Sequence, residues 1–313
     1  MASRYFLAAP LPLSLAALVF VYIARAETPP ARHLNPAAWG SDHVGKPVPE
    51  YVTGDECLFC HRSDIGPAWT KNRHQRTIRE AETDSAAFAA LRADNDVKHL
   101  ASAVTLFMGS NRETRFLKKA AAYGQLELLT AGWDARGPGH NGMLGGKDSP
   151  HWDKDTFGKN CAGCHTTGVD CKALTFAAIA LDCYTCHGEV ATEHSKNTEL
   201  VHLAKKRADS AKVVTSICAQ CHVRTGKSRS SGWPFPNNFV AGDNLFRDFQ
   251  VDFSKAAIAG LNPIDHHVLD NVRDVVVLGK EEVTCVTCHD VHKQSSRKHR
   301  QVEENESCLT CHN

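Results

Sequence analysis

Apolar and polar positions along this chain follow no single period, and the changes of period mark its parts. Leu11 to Ile23 is an apolar run behind the basic Arg4, closed by Ala24-Arg25-Ala26. A short basic stretch, an apolar stretch and an A-x-A site form the pattern of an export signal, so residues 1–26 are expected to be cleaved off. The alternative is an uncleaved anchor, for which a run broken by Pro10 and Pro12 is short. Ile78, Ala81, Phe88, Leu91 and Ala101, interleaved with charges, predict helix over 75–103. Residues 104–133 read better as strands, with a hairpin turn at Tyr123-Gly124, although 113–122 is also compatible with helix. Glycines and prolines make loops of 137–147 and 228–243, and 196–216 reads as helix. The expected fold class is mainly α with extensive irregular loops and one small β-hairpin around 104–133.

The cysteines change this picture. Twelve of the 13 fall into six Cys-x-x-Cys-His units. These are Cys57, Cys60 and His61; Cys161, Cys164 and His165; Cys183, Cys186 and His187; Cys218, Cys221 and His222; Cys285, Cys288 and His289; and Cys308, Cys311 and His312. The spacing suits c-type haem attachment. Two thiols one helical turn apart add to the two haem vinyl groups, and the adjoining imidazole becomes the proximal iron ligand. A thioredoxin-like dithiol does not need the histidine, and zinc wants two such pairs per ion. Six copies on a chain with an export pattern therefore predict six haem c groups. Cys171 is left over; it reads as a structural thiol, with iron ligation or an intermolecular disulfide as alternatives. The motif intervals are uneven, with close pairs at 161/183 and 285/308 and a long gap after the first motif. The expected organisation is a hexahaem region over 27–313. Within it, 27–156 holds the first haem and an insertion, and 157–313 holds five haems with cofactor as much of the core.

Haem iron needs a second axial ligand, and 18 histidines minus the six in the motifs leave a surplus. Methionine is scarce: besides Met1 there are only Met108 and Met143, so bis-histidine ligation is the default. Position selects His43, His74, His194, His266, His267 and His292 as distal candidates, with His151 and His299 as weaker ones. His292 follows His289 too closely to reach the opposite face of the same haem, so it is expected to serve a neighbour. His33, His99, His140 and His202 read as non-ligands.

Charge adds one exclusion. Lys and Arg number 36 against 35 Asp and Glu, a formal net charge of +1, which does not suit a nucleic-acid binder. Haem propionates would make the loaded protein more negative than the bare chain.

With these residues in view, the chain resembles the exported multihaem c-type cytochromes, in particular those related to the tetrahaem electron-acceptor cytochrome of hydroxylamine oxidation. The resemblance rests on GDECLFCHRSDIGPAWTKNRH at 54–74, FGKNCAGCHTTG at 157–168, LDCYTCHGEVATEH at 181–194, CAQCHVRTG at 218–226, FPNNFVAGDNL at 235–245 and VTCVTCHDVH at 283–292. It implies bis-histidine haems in stacked and perpendicular pairs that form an electron wire, with His74, His194 and His292 as distal ligands. Six motifs in place of four mean that the haem arrangement does not transfer whole.

Three functions follow as expectations. The first is an electron carrier, periplasmic or extracellular, between redox partner proteins and matured by haem-attachment machinery. The second is an oxidoreductase with one open haem acting on nitrite, hydroxylamine, nitric oxide or a sulfur oxyanion; His140 or His151 with Asp153 and Lys154 could serve it, and read equally well as a solvated loop. The third is a subunit of a membrane-bound or polymeric assembly, suggested by a sixth motif at the chain's end.

Overall fold

The computed structural model describes residues 54–292, apart from 138–141, 146–148, 171–172, 189, 191, 205–206, 238 and 281–282. The export pattern, His43, Cys171, His299 and the sixth motif lie outside the described residues.

The expectation of a mainly α chain is overturned between the first two motifs. That stretch builds a six-stranded sheet of β1 (Ile78–Glu80), β2 (Leu106–Gly109), β3 (Glu113–Lys119), β4 (Leu126–Asp134), β5 (Met143–Leu144) and β6 (Trp152–Asp153). The first four strands pair antiparallel in order, and β4 also pairs with β5 and β6. The anticipated hairpin is the β3–β4 pair inside this larger sheet. Its turn needs Gly124, whose φ is +68°, because a Cβ there would lie 2.4 Å from the Phe176 carbonyl oxygen. The physical reason for the correction is a period of two. Phe107, Phe116, Leu129, Ala131 and Trp133 share one face, while Leu106, Met108, Leu117, Leu126 and Leu128 share the other. Both faces are buried, so β4 shows none of the polar alternation that marks a half-exposed strand.

The expected helix at 75–103 breaks into β1, α2 (Ala86–Ala93) and a 3₁₀ turn, Lys98–Ala103. Ser85 stops the chain from being helical earlier, because its side chain accepts from the Phe88 amide as an N-cap. The predicted helix at 196–216 is reduced to a 3₁₀ turn, Thr198–Leu200, and the start of α5 (Ala211–His222).

One sheet face packs on α2 through Ala87, Phe88, Ala90 and Leu91. The other meets Phe157, Ala162 and Phe176, with Cys161 against it, and so forms a platform for the second motif. Side chains rather than cofactor fill this part of the core. Phe107 and Phe116, both 0% exposed, meet edge to face at 5.6 Å. Phe116→Ala is expected to cost ~3–5 kcal/mol in denaturant unfolding of the loaded protein; a cost below ~1 kcal/mol would show that this core carries little stability.

A third cluster joins α5 to α6 (Pro263–Val276) through Ala219, Val223, Leu269 and Val272, with Leu245 and Phe249. Asn262 caps α6 by accepting from the amides of Ile264 and Asp265, and Pro263 sits in its first turn. Two small ribbons complete the fold: Thr166–Thr167 with Ala178–Ile179, and Gly226–Ser228 with Phe249–Val251.

Candidate functional site

Each described motif lies on a short helix or at the end of a longer one. α1 (Gly54–His61) carries Cys57, Cys60 and His61, α3 (Ala162–His165) follows Cys161, and α4 (Cys183–His187) holds the third motif entire. The last turn of α5 presents Cys218, Cys221 and His222, and α7 (Cys285–Cys288) ends just before His289. Helical geometry puts the two thiols, three residues apart, on one face and the histidine at the helix end.

The helices gather around α5, which touches α3, α4 and α7 as well as α6, while α1 packs on α4. Thiols of different motifs come within hydrogen-bonding reach in three places: Cys57 with Cys183, Cys164 with Cys221, and Cys218 with Cys285. The Sγ of Cys164 is 3.8 Å from the Cys221 carbonyl oxygen, and the Sγ of Cys221 is 3.7 Å from that of Gly163. The partner thiol, then burial, pushes Cys183, Cys218 and Cys221 above the ordinary thiol range. Burial raises Cys161 and Cys186 to about 11. Cys164 and Cys285 are lowered, each by the hydrogen bond from its partner thiol.

Imidazoles also meet in pairs, each joining a motif histidine to one from elsewhere. His61 meets His194 with ring centres 6.1 Å apart and planes at 28°. His222 meets His74 at 6.1 Å and 78°. His187 faces His292 at 5.7 Å and 23°, with the two Nε2 atoms 3.5 Å apart. Two imidazoles on opposite sides of one metal ion, with bonds of ~2.0 Å, set their nitrogens ~4 Å apart and their ring centres about 6 Å apart. All three pairs have ring centres near that separation, at 5.7 to 6.1 Å. The histidines meet in twos, as a metal already held by four porphyrin nitrogens requires. Among the described residues no group of three or more His, Cys, Asp or Glu has the geometry of a metal site.

Hydrogen bonds at Nδ1 orient three of these rings. His187 Nδ1–H donates to the His202 carbonyl at 2.6 Å, His74 Nδ1–H to Asn72 Oδ1 at 3.2 Å, and His61 Nδ1–H to Asp64 Oδ2 at 3.1 Å. These acceptors fix the tautomer that leaves Nε2 free to bind a metal. Burial is the main cause that holds His165, His187, His222 and His292 below the ordinary imidazole range, which favours the neutral form a metal ligand needs.

The other described sequence candidates make none of these pairs. His266 and His267 are exposed on α6, the first bonded through Nδ1 to Asp270 at 3.0 Å and the second near Asn271. His151 is exposed and its Nδ1–H donates to the Ser149 carbonyl at 2.8 Å. Among the described residues no imidazole is paired with His165, whose buried Nδ1 has no hydrogen-bond partner.

Sequence reading missed the supports. His202 acts through its carbonyl, and its ring is held by Asp209 at 2.9 Å. Asn72 and Asp182 carry no motif signal at all. Asp182 caps α4 by accepting from the Tyr184 amide through Oδ1, while its buried Oδ2 has no partner. Burial lifts its pKa from 3.8 to about 6. The folded state therefore holds this proton more tightly than the unfolded one. The resulting stabilisation is full below pH ~4 and is lost as pH rises through ~6, a change of up to ~3 kcal/mol. Asp182→Asn keeps the cap and is expected to lack that slope when unfolding is measured between pH 4 and 7; identical slopes in both proteins would contradict it.

The comparisons with known proteins reach the motif itself. Residues 277–313 match the doubled CXXCH motif family, a stretch that holds the last two motifs. No curated protein matches the chain. Among solved structures, the undecaheme cytochrome from the S-layer of Carboxydothermus ferrireducens is similar at 18% identity and a TM-score of 0.45, over 86% of this chain and 44% of that one. This chain thus spans less than half the length of that structure. The repeated motif and the family match support a multihaem c-type cytochrome.

Proposed function

We propose that this protein is an exported electron carrier holding six covalently attached haems, most of them with bis-histidine ligation. The observation that carries the reading is the set of three imidazole pairs at metal-bridging separation, each built from a motif histidine and a distant one. Cys57, Cys60, Cys161, Cys164, Cys183, Cys186, Cys218, Cys221, Cys285, Cys288, Cys308 and Cys311 would form the thioethers. His61, His165, His187, His222, His289 and His312 would be the proximal ligands. His194, His292 and His74 would be distal to His61, His187 and His222, and the remaining haems would draw on His43, His151, His266, His267 and His299. Bound haem supplies a one-electron iron couple, with potential lowered by the second imidazole.

The chain's own part is to place attachment sites side by side. The first motif lies beside the third, the third beside the fourth, and the fourth beside the second and fifth, a branched row centred on α5. The N-terminal pattern supports export, where haem-attachment machinery and redox partners would meet the chain. The phrases shared with the electron-acceptor cytochromes of hydroxylamine oxidation support a distant relation to them. Docking to partners would be small and transient.

Coulometric titration tests this reading. The loaded protein should take up six electrons per chain from a chemical reductant and return them, and the ferrous form should leave carbon monoxide unbound. A second reading rests on His165, whose buried Nδ1 has no hydrogen-bond partner among the described residues. If one haem per chain binds carbon monoxide, and nitrite or hydroxylamine reoxidises it with turnover, the protein is an oxidoreductase with an open haem at the second motif.

A further inference from the structure

We propose that Asn72 is a positioning residue shared by two distal ligands, His74 and His292, an inference that rests on the bis-histidine reading above. Asn72 is 1% exposed, and its side chain is used at both ends. Oδ1 accepts from the His74 backbone N–H at 2.8 Å and from the His74 ring Nδ1–H at 3.2 Å. Nδ2 donates to the carbonyl of Val291 at 2.7 Å, across 219 residues of sequence. A carbonyl only accepts and a backbone amide only donates, so these partners fix which end of the amide is oxygen and which is nitrogen.

Each end leads to a different imidazole pair. The Oδ1 contact sets the rotation of the His74 ring and keeps its proton on Nδ1, which leaves Nε2 free on a ring 6.1 Å from that of His222. The Nδ2 contact pins the peptide immediately before His292, whose ring faces His187. The His292 N–H donates to Asp290 Oδ1 at 3.2 Å, a local brace on the same short segment. The His74 carbonyl accepts from the Leu181 N–H at 3.3 Å, just ahead of α4, so the same turn also touches the third motif. One buried amide therefore indexes the distal ligands of two neighbouring motifs, on α4 and α5, against each other. A leucine in its place would fill the volume but leave the half-buried Val291 carbonyl and His74 Nδ1–H without this partner.

The experiment uses the loaded, full-length protein. Electron paramagnetic resonance of His74→Ala and His292→Ala first marks the ferric signal that belongs to each ligand. Asn72→Leu is then expected to disturb both marked signals and no others, with each distal imidazole bound on the order of 10-fold more weakly, read as a rise in high-spin fraction. The midpoint potentials of the same two haems should rise, because a less basic imidazole stabilises ferric iron less. Asp290→Ala should move the His292 signal alone. Asn72→Ser is the conservative variant. Its hydroxyl can still accept from the His74 amide in the same kind of turn but cannot reach Val291. It should therefore disturb the His292 signal as fully as leucine does and the His74 signal less, and it keeps the test open if leucine prevents accumulation. The proposal is overturned if Asn72→Leu moves only the His74 signal, neither signal, or all of them together. If the marker variants themselves produce no new high-spin signal, the bis-histidine reading fails instead.

Discussion

Alanine at His74, His194 or His292 is expected to turn one haem per chain, and only one, from low spin to high spin. Each of these rings stands opposite a motif histidine at 5.7 to 6.1 Å between centres. A histidine that merely packed in the interior would destabilise the fold when truncated without changing any iron's coordination. A ligand would do the reverse: its loss leaves a five-coordinate iron whose spin state and potential both rise, while the thioethers keep the haem in place. The three substitutions act on three different motifs, so a double variant should show two high-spin haems. His292 is the most telling of the three. It lies three residues after His289, yet its Nε2 points at Nε2 of His187 from 3.5 Å. If His292→Ala altered the haem of the fifth motif and left that of the third unchanged, the pairing seen here would be wrong.

Replacing Cys218 and Cys221 together by serine should cost the protein more than the single haem they attach. α5 is the most enclosed of the motif helices, with Ala211, Val214, Ile217, Ala219 and Gln220 buried and with three other motif helices against it. Gln220 Nε2 donates to the Ile217 carbonyl at 2.9 Å and to that of Thr185 at 3.4 Å, which ties the fourth motif to the third. Truncating one core phenylalanine costs ~3–5 kcal/mol. Emptying a haem-sized volume at this junction costs more, against a total stability of ~5–15 kcal/mol for a typical domain. Haem content measured per purified chain should fall by two or more, with a sharp loss of yield. Serine at Cys285 and Cys288, on the more exposed α7, should remove one haem and spare the rest. Equal losses from the two double variants would show that α5 is not the centre of the arrangement.

The candidate site was legible in the sequence where chemistry is local. Cys-x-x-Cys-His carries its meaning within five residues, and the described copies sit at the ends of helices as that chemistry needs. Of the six distal candidates chosen by position, His74, His194 and His292 meet a motif histidine, His266 and His267 do not, and His43 lies outside the described residues. Which one meets which was not legible, because the partners come together only through the folded chain. Asn72 was invisible for the same reason: its role depends on Val291, 219 residues away.

The fold was legible only in part. The strand pattern at 104–133 was read, but the sheet around it was not. β5 and β6 are two residues each, too short to show a period, and β1 is three. The apolar positions at 75–103 were assigned to one helix, although they belong to a strand, a helix and a 3₁₀ turn. Expecting cofactor to fill the interior also hid the sheet's own core of Phe88, Phe107 and Phe116.

The proposed carrier needs six haems per chain, each iron with two strong ligands. The measurement that tests this most directly is electron paramagnetic resonance of the fully oxidised protein, with haem quantified per chain. Six haems per chain, all low spin, are the expected result. Fewer than six haems, or a stoichiometric high-spin ferric signal that shifts on adding nitrite or hydroxylamine, would contradict it.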